Sequence, residues 1–245
     1  MTRNTTLDIF ASFSRDTARD RIDFARDGDA YILSNGVLTL RGAMCEAHLV
    51  RSIALNGHNC GSLDICLNVK ANNGKWIWPG LSALCKIDFC RTGCAGVLEL
   101  IGEWWQVVGR CTIPGYAFRV RARVTMRPSE KAFLVEVTEV ENSGTLDLRI
   151  GRIFISVVPP EGIKPVCVRE PTLNENSAAW DAGKGHEIGL RSEDKDVQRI
   201  SFWADEETGY PHADCGFSLP SGGILLSPNQ KFTPAHPISA IVMVK

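Results

Sequence analysis

The 245-residue chain sets 27 Lys and Arg against 28 Asp and Glu, so its formal charge of -1 and pI near 6.5 provide no global field that would gather nucleic acid or an anionic membrane. With 44% hydrophobic residues it has material for one large core, and no linker-like tract divides it, which argues for a single domain over 1–245. No window has the apolar length of a transmembrane helix, and Met1 to Asp29 is charged throughout without the apolar core of a signal peptide, so a cytoplasmic chain is expected.

Residues 1–29 read as an N-terminal extension. Within it, Leu7, Ile9, Phe10, Phe13, Ile22 and Phe24 stand among Arg and Asp from Thr6 to Ala25, a pattern compatible with a short surface helix. From Ala30 the grammar is that of strands: Tyr31-Ile32-Leu33, a turn at Ser34-Asn35-Gly36, Val37 to Leu40, then Ala47 to Leu55 and a turn at Asn56-Gly57. Asn68 to Pro79 reads as a Gly- and Asn-bearing loop ending in Trp76-Ile77-Trp78-Pro79. Tryptophans two apart share a face of an extended segment, so Trp76 and Trp78 either cover a sheet edge or offer flat surfaces that stack on sugar rings.

Nine cysteines are many for a cytosolic chain. Cys85, Cys90 and Cys94 cluster, yet no Cys-x-x-Cys pair occurs and no His is near, so the zinc spacing is not met and no metal or cofactor is expected. Small, reduced, buried core cysteines are the expectation. Val97 to Ile101 and Trp104 to Val108 read as two short strands broken around Gly102-Glu103. Trp104 and Trp105 fall on opposite faces.

The most regular stretch follows. From Tyr116 to Met126 the even positions are apolar or small, while Arg119, Arg121, Arg123 and Thr125 are polar, the period of a half-buried strand. Pro128-Ser129-Glu130-Lys131 supplies a turn, and Phe133, Val135 and Val137 resume the alternation. Pairing Arg127 with Ala132 sets Met126 against Phe133, Val124 against Val135 and Arg123 against Glu136, which makes both faces agree. The arginine row is expected to pair with Glu136 and its neighbours. After the turn at Asn142-Ser143-Gly144, Leu146, Leu148 and Ile150 lead to Gly151, where the apolar parity flips to Ile153, Ile155 and Val157, the mark of a bulge or kink. Pro159 to Gln198 is rich in Pro, Gly, Asn and charge and reads as a long loop excursion over 159–198 on one rim. Ile200 to Ala204, Gly216 to Leu219, Ile224 to Leu226 and Pro237 to Val244 close the domain as strands. The fold class is therefore all-β, a large antiparallel sandwich.

Three segments in this order resemble the galactose mutarotase-like β-supersandwich of aldose epimerases, polysaccharide lyases and glycosidase domains. They are YILSNGVLTLRGAMCEAHLVRSIALNGHN, with its N-x-x-L-x-L start; YAFRVRARVTMRPSEKAFLVEVTEVENSGTLDLRIGRIFI, with its V-x-N-x-G turn; and LPSGGILLSPNQKFTPAHPISAIVMV, with Asn229 where Gly is usual. The resemblance implies a carbohydrate-handling face. In the epimerases a carboxylate removes the anomeric hydroxyl proton and a His delivers one to the ring oxygen. Here the G-H-x-Y/F setting reads Gly151-Arg152-Ile153-Phe154, and the place of the Glu reads Cys215-Gly216-Phe217-Ser218, so the usual pair is missing.

The expected function is binding or processing of a saccharide by an isomerase- or lyase-like site; the alternative is a non-catalytic sandwich module for recognition or assembly. Arg152 offers a fixed fork of donors to a carboxylate or to hydroxyls, with an ion pair on the sheet surface as the bland counterpart. His212 and Asp214, two apart before the last strands, face one way in an extended segment and form either a proton-transfer pair or the polar furniture of a turn. A concave face lined by Trp76, Trp78, Arg152 and His212 would favour sugar chemistry, a flat apolar patch a protein partner.

Overall fold

A computed structural model describes residues 21–70, 74, 76–77, 83–108, 111–160, 167–169, 177–192, 197–204, 211–219 and 222–245, with the backbone alone at 77, 105–108, 111–116, 167–169, 197–199, 201–204, 211–213 and 218. All its elements are strands, and every strand pair is antiparallel. The N-terminal part runs β1 (Asp23–Asp27), β2 (Ala30–Ser34), β3 (Leu38–Ala43), β4 (Val50–Leu55), β5 (His58–Lys70) and β6 (Trp76–Ile77). Four longer strands follow: β7 (Ala83–Thr92), β8 (Ala95–Val108), β9 (Cys111–Met126) and β10 (Ala132–Asn142). Then come β11 (Leu148–Val158), β12 (Cys167–Arg169), β13 (Ser177–Gly183), β14 (His186–Arg191), β15 (Val197–Ala204), β16 (Pro211–Ser218), β17 (Ile224–Leu226), β18 (Lys231–Phe232) and β19 (Ile238–Val244).

They build two sheets. One has the order β1-β2-β3-β4-β5-β11-β16-β15, with β6 beside β5 and β17 beside β11; the other has the order β12-β13-β14-β19-β10-β9-β8-β7, with β18 beside β10. The core lies between them. Leu63, Ile65, Leu67, Val69, Ile153, Ile155 and Phe217 from the first sheet join one buried cluster with Val124, Val135, Trp180, Leu190 and Val242 from the second.

The central hairpin has the register the alternation dictates: Met126 faces Phe133, Val124 faces Val135 and Arg123 faces Glu136. Val124 and Val135 are fully buried, and the arginines lie on the opposite face. The parity flip at Gly151 is a real irregularity, since the β5–β11 register shifts between Ile150 and Arg152.

Several expectations are corrected. Asp23–Asp27, at the end of the stretch read as a helix, is strand β1; the residues before 21 lie outside the described part. Asn68 to Lys70 are not loop but the end of β5, and Trp76 and Ile77 pair with it. β8 runs unbroken through Gly102-Glu103 because it is paired on both sides, Gly102 standing between Leu84 and Val120. The tract 159–198 is not a bare loop: it holds β12, β13 and β14, whose Ala178, Trp180, Ala182, Ile188 and Leu190 are buried. Nor are the cysteines uniformly buried. Cys60 and Cys215 are, but Cys45, Cys90 and Cys94 are exposed, Cys45 at a left-handed turn position (φ 61) and Cys94 just after Gly93 (φ 61).

Two fully buried asparagines pin the chain at its corners. Asn35 Nδ2 donates to the carbonyls of Arg127 (2.7 Å) and Glu130 (2.8 Å), while its Oδ1 accepts from the N–H groups of Val37 (3.1 Å) and Leu38 (2.7 Å). One side chain thus ties the β2–β3 turn of one sheet to the β9–β10 turn of the other. Asn142 Nδ2 donates to Leu146 O (2.8 Å) and Leu226 O (2.7 Å), and its Oδ1 accepts from Gly144 N–H (3.0 Å), fastening the β10–β11 connection to β17.

Candidate functional site

The outer face of the ten-stranded sheet, away from the core, carries the chemistry. In β5 the residues Leu63, Ile65, Leu67 and Val69 enter the core, so Asp64, Cys66, Asn68 and Lys70 project from the other side. Antiparallel pairing extends these into rows across β5, β11 and its neighbours. Asp64, Ser156 and Asp214 form one row, Cys66, Phe154 and Gly216 the next, and Asn68, Arg152 and Ser218 the third. A fourth row runs Trp76, Lys70, Arg149, Leu225 across β6, β5, β11 and β17.

The bulge after Ile150 is what assembles the last two rows. In a regular strand Arg149 and Arg152, three apart, would point to opposite faces. Because Arg149 pairs with Lys70 and Arg152 with Asn68, the extra residue brings both arginines to one side. Gly151 then makes room for the aromatic ring. A Cβ there would stand 2.7 Å from two ring carbons of Trp76 and 2.9 Å from Asn68 Oδ1, so only glycine lets the indole lie on the sheet. Trp76 remains 38% exposed, with Lys70 Nζ 5.9 Å from its ring centroid.

The row Asp64–Ser156–Asp214 is buried, the three residues being 8%, 0% and 4% exposed. Ser156 Oγ and, two rows away, Asn68 Nδ2 are buried without a hydrogen-bond partner among the described residues. Leaving such groups unmet costs about 1–3 kcal/mol each, so they are a site waiting for polar atoms or a cost the fold carries. Between the rows the Cys66 thiol is pushed well above its ordinary range, first by burial and then by the negative charges of Asp64 and Asp214. That places Cys66 as a protonated, unreactive neighbour of the carboxylates.

Of the residues singled out in the sequence, Trp76, Arg152 and Asp214 share this face. Asp214 and His212 lie in strand β16 rather than in a turn, His212 pairing with Trp203. The His212 side chain and the whole of Trp78 lie outside the described residues. Sequence reasoning missed Asp64, Asn68, Lys70, Arg149 and Ser156. The signal for the first three was present, since Leu63 to Lys70 alternates strictly between apolar and other residues. Among the described residues no cluster of His, Cys, Asp and Glu could hold a metal ion, and no helix is long and apolar enough to cross a membrane.

No protein-family model matches the sequence, and no curated protein matches it either. Solved structures do. A galactose mutarotase-like protein from Clostridium acetobutylicum aligns over 91% of this chain and 97% of its own, at 9% identity and TM-score 0.52. A protein from Synechocystis aligns over 93% and 97%, at 13% identity and TM-score 0.51. The galactosidase domain of an alpha-galactosidase-sucrose kinase aligns over 91% of this chain at 10% identity and TM-score 0.50, this chain spanning 41% of that one. The fold is the all-β galactose mutarotase-like sandwich expected from the order of the three sequence segments.

Proposed function

We propose that this protein binds a saccharide on the outer face of the ten-stranded sheet and processes it by proton transfer. The observation that carries the reading is the buried polar row Asp64–Ser156–Asp214 with its unpartnered Ser156 hydroxyl, flanked on the same face by an exposed tryptophan and Arg152. A sugar supplies what such a face lacks. Its hydroxyls both donate and accept, so they satisfy Ser156 Oγ and Asn68 Nδ2 together, while its apolar ring side stacks on Trp76 with little entropy lost.

Asp214 is the proton-transfer residue of the proposal, with His212 beside it on β16 and Arg152 as the donor that orients the substrate. The usual epimerase pair being replaced in the sequence, the acid–base work falls to carboxylates in the floor of the site. The fold neighbours named for galactose mutarotase and galactosidase support a carbohydrate ligand. Among the described residues the exposed large apolar side chains are Trp76, Leu146 and Leu225, too few for the flat apolar patch that a recognition module would present.

A thermal-shift screen against mono- and oligosaccharides tests the reading. A ligand at about 100 times its Kd adds about 2.7 kcal/mol to the native state, several degrees in melting temperature. Trp76→Ala should abolish most of the shift. Asp214→Asn should retain binding but lose proton-dependent turnover, followed by NMR exchange between anomers of the bound sugar. A chain that no saccharide stabilises refutes the proposal, and turnover that survives in Asp214→Asn removes that residue from it.

A further inference from the structure

The three cations beside Trp76 carry a further reading, which rests on the proposal above and names the class of its ligand. Lys70 and Arg149 stand directly opposite each other on neighbouring strands, and the bulge adds Arg152 to the same face. Like charges in directly opposed positions destabilise a sheet. Lys70 and Arg152 are exposed, and Arg149 spends one donor on Gly222 O at 2.9 Å. None of the three forms an ion pair among the described residues.

The cations in the middle of the other sheet are placed differently. On the outer face of the second sheet Arg119 meets Glu103 at 2.9 Å, Arg123 meets Glu99 at 3.3 Å and Lys231 meets Glu139 at 2.9 Å. There the cations of β9 and β18 are answered by carboxylates on the neighbouring strands. Around Trp76 no described carboxylate answers the charge, which stands next to a ring available for stacking and beyond the acidic floor at Asp64 and Asp214. Arg152 and Ser156 are four residues apart on β11, about 13 Å between Cα atoms, so the two ends present opposite polarity to different parts of one ligand.

We infer that the saccharide is anionic, a sugar bearing a carboxylate or a phosphate, whose oxyanion is held by Lys70, Arg149 and Arg152 while its ring stacks on Trp76 and its hydroxyls reach the Asp64–Ser156–Asp214 row. A guanidinium fork matches either oxyanion, and a lysine ammonium adds a point charge.

The test is calorimetric titration of the full chain with galactose, glucose and mannose, each as the neutral sugar, the uronate and the 6-phosphate. For whichever ring binds, the inference expects one anionic form to bind at least about tenfold more tightly than the neutral one, with affinity falling as salt is added. Uronate and phosphate arms decide between the two oxyanions. Lys70→Gln and Arg152→Gln, both at exposed positions, should each weaken the anion by roughly tenfold to a hundredfold and change the neutral sugar far less. Lys70→Gln should also leave the melting temperature unchanged or raised, because it removes a like-charge pair. Neutral sugars that bind as tightly as their anionic forms, or anion affinity indifferent to both variants, overturn the inference and leave the saccharide reading standing. A panel in which no form binds removes both.

Discussion

Glycine at 151 and asparagine at 35 and 142 show how single positions set this molecule. A methyl group at 151 would intrude on both the Trp76 ring and Asn68 Oδ1, so Gly151→Ala must displace the indole from the sheet. We expect a loss of about 1–3 kcal/mol, the usual cost of overpacking, read from the denaturant midpoint, together with a changed near-ultraviolet spectrum as Trp76 moves. The asparagines act at longer range. Asn35, itself fully buried, makes four side-chain hydrogen bonds to backbone groups of both sheets. Asn35→Ala should cost about 2–4 kcal/mol, because four hydrogen bonds are lost at once and the buried Leu38 N–H is left unmet. A midpoint within error of the wild type would mean that the two turns hold together without it.

At the scale of strands, what could be read from the residues was the alternation that both neighbours of a strand respect. Tyr116 to Met126 and Ala132 to Val140 fix their own register because apolar faces and charge pairs agree, and Gly151 betrays its bulge by the switch of parity. Where the signals were diluted, reading failed for physical reasons. Gly102 looks like a break only until β7 and β9 hold it from both sides, and β13 and β14 hide short apolar faces among glycine and charge. The candidate site was half legible. Trp76, Arg152 and Asp214 carry recognisable chemistry, whereas Ser156 and Asn68 matter only through cross-strand neighbours that no local pattern reveals. The charged rungs over β8, β9 and β10 yield an expectation of their own. Arg121 lies 3.8 Å from Glu99 and 3.9 Å from Glu139 with all three side chains partly exposed, so Arg121→Ala should cost no more than about 1 kcal/mol, and less at high salt. Denaturation at low and high ionic strength checks it.

For the molecule as a whole, burial sets the alkaline limit. The Cys66 thiol is raised by burial and by Asp64 and Asp214, the Cys60 and Cys85 thiols chiefly by burial, and the Tyr31 hydroxyl by burial and Glu46. In the unfolded chain these groups ionise near about 8.5 for thiols and about 10 for tyrosine. Their contribution is therefore complete below those values and is lost as pH rises toward the folded ones, since the unfolded state gives up its protons first. The denaturant midpoint should fall above about pH 9, and fall less steeply in Cys66→Ala. The position of β11 between β5 and β16 has a consequence for synthesis on the ribosome. Until Pro211–Ser218 has emerged, β11 has β5 on one side and an open edge on the other, and the Asp64–Ser156–Asp214 row lacks its last carboxylate. A nascent chain thus has to extend through residue 218 before it owns the face, and this late closure leaves a long interval in which the bare edge is exposed to chaperones or to the same edge on another nascent copy.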